Sequence, residues 1–442
     1  MKEIPGWLKG SLLNYIRQKG TDLEERTSAF SDWISKRRQN EVWPYSRVLH
    51  KNGVVADVFD EFESGGRRAL NFGSQDYLSL SGHPAVIEAA VKACQEFGVH
   101  SAGSPVLSGR TKYMLELEKR LSSVLRKDSC AIYATGWSAG FGVVSGLVRP
   151  NDSVVIDRLA HSCIAEGARH STKNINWFQH NNLEEFHSVV QQAREKNPKQ
   201  GLFVLLESLY SMDSDSPDLE SFSKVTREYG GIIILDVAHD FGCMGNKGLG
   251  VLDNTAENYW PDIVMGSFSK SFASNGGFVA ASSKVIEYLR YYSPSFTFTN
   301  ALSPIQCAIV LTCFDVIFSK DGEALRSKLR ENIIRLRDGM TSKGFRLGGI
   351  PSPIVPVFVG NEAKARLTSR ALEDRNLLAN LVEFPAVARG EARFRFQVMR
   401  EHSSQDIDDA CHIMAEATST YLSEANREYI EGISKLRQEY AS

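Results

Sequence analysis

The sequence predicts an α/β protein with a mainly parallel sheet in a large domain and a smaller α/β region near the C-terminus. Short apolar runs at 152–157, 201–208 and 231–239 alternate with helical stretches. Apolar strands separated by helices are typical of parallel sheets that are covered on both faces. A second group of strand-like runs, 353–360 and 392–399, follows a long helical stretch. The 442 residues are also too many for one compact core.

The N-terminal region predicts helices and then a small hairpin. Four apolar residues recur near a helical period of 3.6, which predicts a first helix: Leu8, Leu12, Leu13 and Ile16. Asp22, followed by two glutamates, predicts the start of a second helix. Residues 52–64 predict a small β-hairpin region with Gly65 and Gly66 as its turn.

The remaining elements follow from runs of apolar residues and from helical periodicity. In the central region we expect helices at 116–126 and 137–148, and strands at 130–135, 152–157, 201–208, 231–239 and 263–265. The C-terminal part predicts a long helical stretch at 305–339, strands at 353–360 and 392–399, a helix from about 404 and a polar helical tail from about 421.

Composition and charge exclude several classes of protein. The formal net charge of -2 gives no reason to expect a nucleic acid or an anionic membrane as partner. The seven cysteines are scattered without a C-x-x-C pair, which indicates neither a disulfide framework nor a zinc site, so no metal is expected. The first residues lack an apolar core long enough for a signal peptide, and no later run could span a bilayer. The expected location is the cytoplasm.

A lysine in an unusual setting is the first candidate site residue. Lys270 stands in "DIVMGSFSKSFASNGGFVA" (262–280), after a strand-like run and before two glycines. Burying an ammonium group is costly unless its charge is paired or lost. A lysine in a partly apolar pocket can form a Schiff base with a carbonyl group. The alternative is a lysine that extends from a loop into solvent.

Two further residues and a glycine-bearing turn complete a candidate site. Asp236 ends the strand-like run "GIIILD", and His239 follows three residues later. Ligand sites in open α/β sheets gather at the carboxyl ends of strands, although Asp236 alone could cap a turn and His239 could be structural. Pyridoxal 5'-phosphate (PLP) needs a lysine for its aldehyde and a carboxylate for its pyridine nitrogen. The turn "TGWSAG" (135–140) would receive its phosphate on the N–H groups that begin a helix.

From about residue 71 to residue 407, the chain resembles the α-oxoamine synthases, a family of fold-type-I PLP-dependent transferases. The resemblance rests on several segments in the order that the family has them: "NFGSQDYLSLSGHP", "GSPVLSGRTKYMLELEKRL", "DRLAHSCIAEGARHS", "ESLYSMDSDSPDL", "DVAHDFGCMGNKGLG", "GSFSKSFASNGGFVA" and "GEARFRFQVMREHSSQDID". It implies a large PLP-binding domain at 95–300, an N-terminal segment at 1–94 that contributes to the small domain, and a C-terminal small domain with its tail at 301–442.

The resemblance implies a role for each matching residue around the cofactor. Lys270 would form the Schiff base and later move the α-proton of the substrate. Asp236 would pair with the pyridinium nitrogen. His239 would hydrogen-bond the phenolic oxygen of the ring, with Ser211 close by. His161 would stack on the pyridine face and help to orient the carbonyl group of the acyl donor.

Other matching residues would bind the phosphate and the substrates. Ser267 and the backbone at Trp137 and Ser138 would take the phosphate. Thr299 resembles the residue that reaches the phosphate of the neighbouring subunit, so a homodimer with shared sites is implied. Arg393 would bind the carboxylate of the amino acid, a task that suits its planar guanidinium group.

The implied reaction condenses an amino acid with an acyl thioester of coenzyme A or of an acyl-carrier protein. Loss of the original carboxylate as carbon dioxide leaves an α-amino ketone. Two other interpretations remain open: another fold-type-I enzyme, such as an aminotransferase or an aldol-type lyase, or a catalytically silent partner subunit. Thioester-dependent release of carbon dioxide would separate the first of these from the synthase, and the presence of Lys270 argues against the second.

The chain departs from the family pattern near the expected substrate site. The positions are Gln75, where the family more often has Asn; Trp137, where a smaller aromatic is usual; Gly140, where Asn is usual; Glu383, where several members have arginine or another polar residue; and Asp240 and Phe241, where small residues are usual. None of these removes a cofactor contact. We expect them to influence which amino acid and which acyl donor are accepted, with Gln75 near the substrate.

Overall fold

The structure is a computed structural model that describes residues 5–45, 47–60 and 66–420, without the side chains of residues 60 and 420. The chain divides into two compact units. The smaller unit combines Met1–Ser74 with Arg330–Ser442, and the larger unit is Gln75–Leu329. Residues 75–94 and 301–329 thus belong to the larger unit. The division of the chain into three domains, with boundaries at residues 94 and 300, stays a prediction.

Strands and helices are numbered in chain order over the described residues. The strands are β1 (Arg47–Lys51), β2 (Val55–Asp60), β3 (Gly66–Phe72), β4 (Ser129–Tyr133), β5 (Ser153–Asp157), β6 (Ile175–Phe178), β7 (Leu202–Glu207), β8 (Ile232–Asp236), β9 (Ile263–Ser267), β10 (Gly277–Ala281), β11 (Ile354–Gly360), β12 (Leu377–Val382) and β13 (Ala392–Gln397). The α-helices are α1 (Leu23–Gln39), α2 (Pro84–Phe97), α3 (Lys112–Val124), α4 (Gly136–Leu147), α5 (Ser162–Ser171), α6 (Leu183–Lys196), α7 (Leu219–Glu228), α8 (Ser283–Tyr292), α9 (Pro294–Thr297), α10 (Pro304–Ile317), α11 (Lys320–Ser342), α12 (Glu362–Asp374) and α13 (Ser404–Thr420).

A seven-stranded sheet forms the centre of the larger unit, in the order β4-β10-β9-β8-β7-β5-β6. The pairs from β6 to β9 are parallel, and β10 runs antiparallel to both of its neighbours. The apolar side chains of β5, β7, β8 and β9 are almost all buried, as covered parallel strands require. The predicted mainly parallel α/β sheet is therefore confirmed.

A six-stranded sheet forms the smaller unit, in the order β1-β2-β3-β12-β13-β11. The pair β3 and β12 is parallel, whereas the other pairs are antiparallel. Strands β11 and β13 match the predicted runs, whereas β12 was not predicted. The predicted hairpin corresponds to β2 and β3, which pair antiparallel up to Phe59 and Gly66; Gly66 begins β3, and the rest of the predicted turn lies outside the described residues.

The first predicted helix is wrong, whereas the second is confirmed. Residues near the N-terminus form two short 3-10 helices, Gly6–Leu8 and Leu12–Asn14. Between them Gly10 has a φ of 81°, a left-handed conformation that breaks a continuous helix. Helix α1 begins where it was predicted, since the Asp22 side chain accepts a hydrogen bond from the Glu25 N–H at 2.9 Å.

The long predicted helical stretch at 305–339 is two helices, α10 and α11. The break lies at Phe318 and Ser319, where the Ser319 hydroxyl accepts hydrogen bonds from the N–H groups of Asp321 (3.1 Å) and Gly322 (3.4 Å). A serine in this position caps a new helix in place of continuing the old one. The predicted helical tail from residue 421 lies outside the described residues. Among the described residues, no helix combines the length and hydrophobicity that a membrane span requires.

A buried ion cluster ties the N-terminal segment to the rest of the smaller unit. Arg366 donates to both carboxylate oxygens of Glu383, at 2.7 and 3.1 Å, and to the backbone oxygens of Leu8 and Gly10. Arg37 lies 3.6 Å from the same carboxylate and has its guanidinium group 4.7 Å from the centre of the Trp33 ring. Burial first, and then the charge on Arg366, lowers the pKa of Arg37 to about 10. Glu383, which the sequence analysis connected with substrate choice, thus has two buried cationic partners.

We predict that Glu383→Ala destabilises the smaller unit by about 3–5 kcal/mol, because it leaves two buried guanidinium groups without their carboxylate. The matched control is Glu391→Ala, which removes the partner of Arg346 in a pair that is 62% and 40% exposed; its cost should be below about 1 kcal/mol. Urea unfolding measures both. Equal costs for the two variants would contradict the structural role assigned to Glu383.

Candidate active site

The candidate site is a cavity of about 340 Å³ in the larger unit, at the edge of the sheet where β7, β8 and β9 end. Because Glu207, Asp236 and Met265 are in register across these parallel strands, their carboxyl ends meet at one edge. The residues that line the cavity are Thr135, Gly136, Trp137, His161, Cys163, Glu207, Asp236, Ala238, His239, Met265, Ser267, Ser269, Lys270, Asn275 and Gly276.

Lys270 lies in a tight loop between β9 and β10. The loop is closed by a hydrogen bond from the Phe268 N–H to the Gly276 oxygen, 3.0 Å long. Gly276 has a φ of 109°, and a Cβ there would lie 2.7 Å from the Leu302 side chain, so the closure requires glycine. The loop leaves Lys270 half-buried in the wall of the cavity.

Asp236 ends β8 and is 7% exposed. One of its oxygens accepts a hydrogen bond from the Ala238 N–H at 2.9 Å, which fixes the carboxylate at the strand end. Burial raises the pKa of Asp236, while the charge on Lys270 and then that on His161 oppose the rise. A further positive charge placed in the cavity would therefore stabilise the ionised carboxylate.

His161 precedes α5 and acts as its N-cap. Its Nδ1 accepts a hydrogen bond from the Cys163 N–H at 3.3 Å and lies 3.0 Å from the Cys163 sulfur. Although His161 is exposed at the mouth of the cavity, loss of water around the ring lowers its pKa; the charge on Asp236 opposes this shift and that on Lys270 adds to it. A neutral ring with an accepting Nδ1 carries its proton on Nε2.

His239 is buried three residues beyond Asp236, and its Nδ1 lies 3.0 Å from the hydroxyl of Tyr77. Tyr77 is itself fully buried. A buried tyrosine hydroxyl and an imidazole nitrogen satisfy each other, and the bond fixes the ring orientation of His239.

The N-terminus of α4 forms another wall of the cavity. The helix meets β9 so closely that a Cβ at Gly136 would lie 2.5 Å from the Ser267 hydroxyl oxygen. The Ser138 N–H donates to the Thr135 hydroxyl oxygen at 3.0 Å, so it is already used by the helix cap. The first-turn N–H groups of Gly136 and Trp137 have no acceptor within the helix. A phosphate bound through the Ser138 N–H, as predicted, would have to replace this cap.

The donor set of the cavity fits PLP. It combines an amine at Lys270, a buried carboxylate at Asp236, and a helix N-terminus beside the hydroxyl groups of Ser267 and Ser269, which lie 2.7 Å apart. An aldehyde, a protonated ring nitrogen and a phosphate require these three kinds of partner. The roles of the individual residues stay predictions.

Five predicted site residues are not among those that line the cavity, and one of them is Ser138 in the first turn of α4. Ser211, Thr299 and Gln75 belong to the larger unit but are not among the residues that line the cavity. Arg393 belongs to β13 of the smaller unit. Its Nε donates to the backbone oxygen of Glu391 at 3.0 Å, and its guanidinium group lies 4.3 Å from the centre of the Phe358 ring.

Comparisons with known proteins identify the family. A family model described as aminotransferase class I and II matches residues 67–414. A serine palmitoyltransferase from Sphingobacterium spiritivorum is 30% identical over 89% of this chain and 96% of its own. An 8-amino-7-oxononanoate synthase from Geotalea daltonii is 31% identical over 79% of this chain and 88% of its own. The chain belongs to the α-oxoamine synthase family.

A solved structure supports the same family and its cofactor. The high-resolution structure of SPT with a PLP internal aldimine has a TM-score of 0.84 and 26% identity to this chain, and the match covers 90% of this chain and 99% of the other. The fold of this α-oxoamine synthase is therefore that of the fold-type-I PLP-dependent transferases, and PLP is its cofactor.

Sequence reasoning missed three residues of this synthase that lie at or beside the cavity. Glu207 ends β7 in register with Asp236, a position that the strand-end argument could have found. Cys163 lies next to His161, and Tyr77 becomes visible only through its contact with His239. Ligand atoms of His161, Cys163 and Asp236 lie within 4.8 Å of one another, a spacing that would also suit a metal ion; that no metal binds stays a prediction.

Two polar groups, the half-buried His180 and the buried Asp240, support loops of the larger unit of this synthase. His180 lies 3.0 Å from Asp157 and 2.9 Å from Asp215. Partial burial alone would lower the pKa of His180, but hydrogen bonds to the two carboxylates outweigh it and raise the pKa to about 10. Asp240 accepts hydrogen bonds from the Ser208 hydroxyl at 2.6 Å and from the Val251 N–H at 2.8 Å.

We predict that Asp240→Asn makes the protein more stable at high pH, relative to wild type. Burial raises the pKa of Asp240 to about 7, from an ordinary value of 3.8. The native carboxyl thus keeps its proton where the unfolded one has lost it, so the free energy of unfolding falls between about pH 4 and pH 7. Asparagine can accept from the Val251 N–H with its oxygen and donate to the Ser208 hydroxyl with its amide N–H, while that hydroxyl donates to the Asp236 backbone oxygen, so both contacts are kept without this loss.

The measurement is urea unfolding of wild type and Asp240→Asn at about pH 5 and about pH 8. The free energy of unfolding of the variant minus that of wild type should be larger at the higher pH by about 2 kcal/mol or more. Asp32→Asn, on the exposed part of α1, is the control. A constant difference between Asp240→Asn and wild type across this range would contradict the prediction.

Proposed function

We propose that this α-oxoamine synthase condenses an amino acid with an acyl thioester and releases the free thiol and carbon dioxide, which leaves an α-amino ketone. The observation that carries the proposal is the convergence of Lys270, Asp236 and His161 on one cavity at the carboxyl edge of the sheet. Family membership supports the reaction class, because the relatives named above are a serine palmitoyltransferase and an 8-amino-7-oxononanoate synthase.

Lys270 and Asp236 would carry the proton chemistry. PLP supplies an electron sink for the electron pair that remains when the α-proton of an amino acid leaves. Lys270 would hold the cofactor through Nζ, and its amine, once free, would accept the α-proton. Asp236 would keep a proton on the ring nitrogen, and its burial in the cavity wall excludes the water that would weaken this pair.

The other lining residues would orient the cofactor and the substrates. His161 would face the ring and, through the Nε2 proton, the carbonyl oxygen of the acyl donor. His239, fixed by Tyr77, would donate to or accept from the phenolic oxygen, with Ser211 close by. Ser267 and the N–H groups at the start of α4, including those of Trp137 and Ser138, would bind the phosphate.

Arg393 and Gln75 would select the amino acid. The guanidinium group of Arg393 would hold the carboxylate of the amino acid in a planar fork until it leaves as carbon dioxide. Gln75 would lie near the substrate, where its longer side chain changes the space available. The acyl donor would be a thioester of coenzyme A or of an acyl-carrier protein, and the protein would act in the cytoplasm, without a nucleic acid or a membrane as partner.

We predict that PLP bound to the purified protein gives a visible absorption band that changes when the correct amino acid is added. Lys270→Ala should lose the band of the lysine-bound cofactor, because the amine that holds the aldehyde is gone. Carbon dioxide should then be released only when both the amino acid and an acyl thioester are present. Titration with common amino acids, followed by assays with acyl-CoA and acyl-carrier donors, measures these outcomes.

Lys284→Ala, at an exposed position on α8, is the matched control and should keep the band. Amino-group transfer without a thioester would favour an aminotransferase, and cleavage of a β-hydroxy amino acid would favour an aldol-type lyase. A protein that does not bind PLP would favour a catalytically silent subunit.

We also propose that the site is completed by a second copy of the chain. Phe298 is 87% exposed and Leu107 is 85% exposed, which is unusual for two large apolar side chains. Their loops lie side by side, since the Ser104 hydroxyl donates to the Thr297 oxygen at 2.7 Å. Thr299, the residue proposed to reach the neighbouring phosphate, belongs to the same surface.

We predict that Phe298→Asp turns the dimer into a monomer, because a buried, unpaired carboxylate at an interface is costly. Sedimentation velocity measures the change in mass, and PLP affinity should fall with it as Thr299 is withdrawn from the neighbouring site. Leu183→Asp, a partly exposed apolar residue at the start of α6, is the control. A dimer that persists in Phe298→Asp would contradict this interface.

A further inference from the structure

Glu207 is a buried carboxyl group in the cavity wall for which the proposed reaction has no use. It ends β7 beside Asp236 and is 3% exposed. Its Oε1 accepts a hydrogen bond from the backbone N–H of His161, 2.5 Å long. This bond joins the end of β7 to the first residue before α5 and thereby fixes the backbone that carries the imidazole.

The charges around Glu207 disfavour its ionisation. The titratable groups that face it are Asp236 on β8, Asp157 at the end of β5, Lys270 beyond β9, His161 and Cys163 at the start of α5, and Tyr210 in the loop that follows β7. Burial first, and then the charge on Asp236, raises the pKa of Glu207 well above its usual range.

The positions of the nearby cations also indicate that Glu207 is not ionised. Asp157 has its own cationic partner, because His180 lies 3.0 Å from it. Among the residues that line the cavity, the two remaining carboxyl groups, of Glu207 and Asp236, share one ammonium group, that of Lys270. Two adjacent buried carboxylates cannot both be ionised cheaply with one cation between them, so one of them holds a proton.

We propose that Glu207 is a positioning residue that acts as a neutral carboxylic acid, holding the backbone of His161 with its oxygen and leaving Asp236 as the ionised carboxylate that would pair with the ring nitrogen of PLP. The inference rests on the roles proposed for His161 and Asp236. Each of the two carboxyl groups accepts one backbone N–H. Asp236 is the better candidate for the ionised group, since the charge on Lys270 is the main influence that opposes burial there, whereas the charge on Asp236 adds to burial at Glu207.

The test compares Glu207→Gln, a neutral side chain of the same shape, with Glu207→Ala, which removes the anchor. The first measurement is an infrared difference spectrum of wild type minus Glu207→Gln, for the PLP-loaded protein without substrates at about pH 8. We expect the carbonyl stretching band of a protonated carboxylic acid, lost in the variant. Glu184→Gln, at an exposed position on α6, is the control and should give no such band.

The second measurement is PLP affinity, together with the pH midpoint of the visible absorption band, again without substrates. Glu207→Gln should keep the affinity within about threefold and leave the midpoint unchanged, because it keeps the acceptor and the neutral charge. Glu207→Ala should lose about tenfold in affinity, as the anchor of His161 is gone.

Three outcomes would overturn the inference, and the first two are the absence of the carboxylic acid band from the difference spectrum and a shifted midpoint in Glu207→Gln. An equal loss of PLP affinity in the Gln and Ala variants would do the same. Because no substrate is present in either measurement, the result is independent of the reaction. If the infrared band and the PLP affinities of the Glu207 variants are as expected but no carbon dioxide is released, only the proposed function is refuted.

Discussion

The site depends on the register of three parallel strands. Because β7, β8 and β9 are paired so that Glu207, Asp236 and Met265 lie side by side, the carboxyl ends of all three strands meet at one edge. The strands are buried on both faces, so the carboxyl groups at their ends have little water. Such a group needs a proton or a cation, and the lysine loop after β9 supplies the cation beside Asp236. A shift of one residue in the register would separate these groups.

The same edge receives the N-termini of two helices, and this explains why the chain needs small residues there. Helix α4 begins so close to β9 that Gly136 has no room for a Cβ beside Ser267. Within α4, a Cβ at Gly140 would lie 2.3 Å from the sulfur of Cys163, so the contact between α4 and α5 also depends on glycine. Close packing brings the free N–H groups of one helix and the imidazole of His161 to the same cavity.

The sequence allowed the parallel sheet and much of the site to be predicted, because both depend on local patterns. Apolar runs located β5, β7 and β8, and a strand-end carboxylate followed by a later lysine identified Asp236 and Lys270. Contacts between distant segments could not be predicted. The strand-end argument could have located Glu207, but not its contacts with residues of β8 and before α5, which give it its importance. The first helix was wrongly predicted because an apolar period does not show that Gly10 takes a left-handed conformation.

The departures from the family pattern differ in what they contact. Glu383 is held by Arg366 and Arg37, and Asp240 by Ser208 and Val251, so each has a structural partner, and neither is among the residues that line the cavity. Trp137 is different, since it lines the cavity, is 47% exposed and stacks on Phe141 with 5.3 Å between ring centres. A large flat side chain at the mouth of a cavity limits what can enter, whereas a buried ion pair in the framework does not. Among these residues, selection of the substrate is therefore to be sought at Trp137 before Glu383 or Asp240.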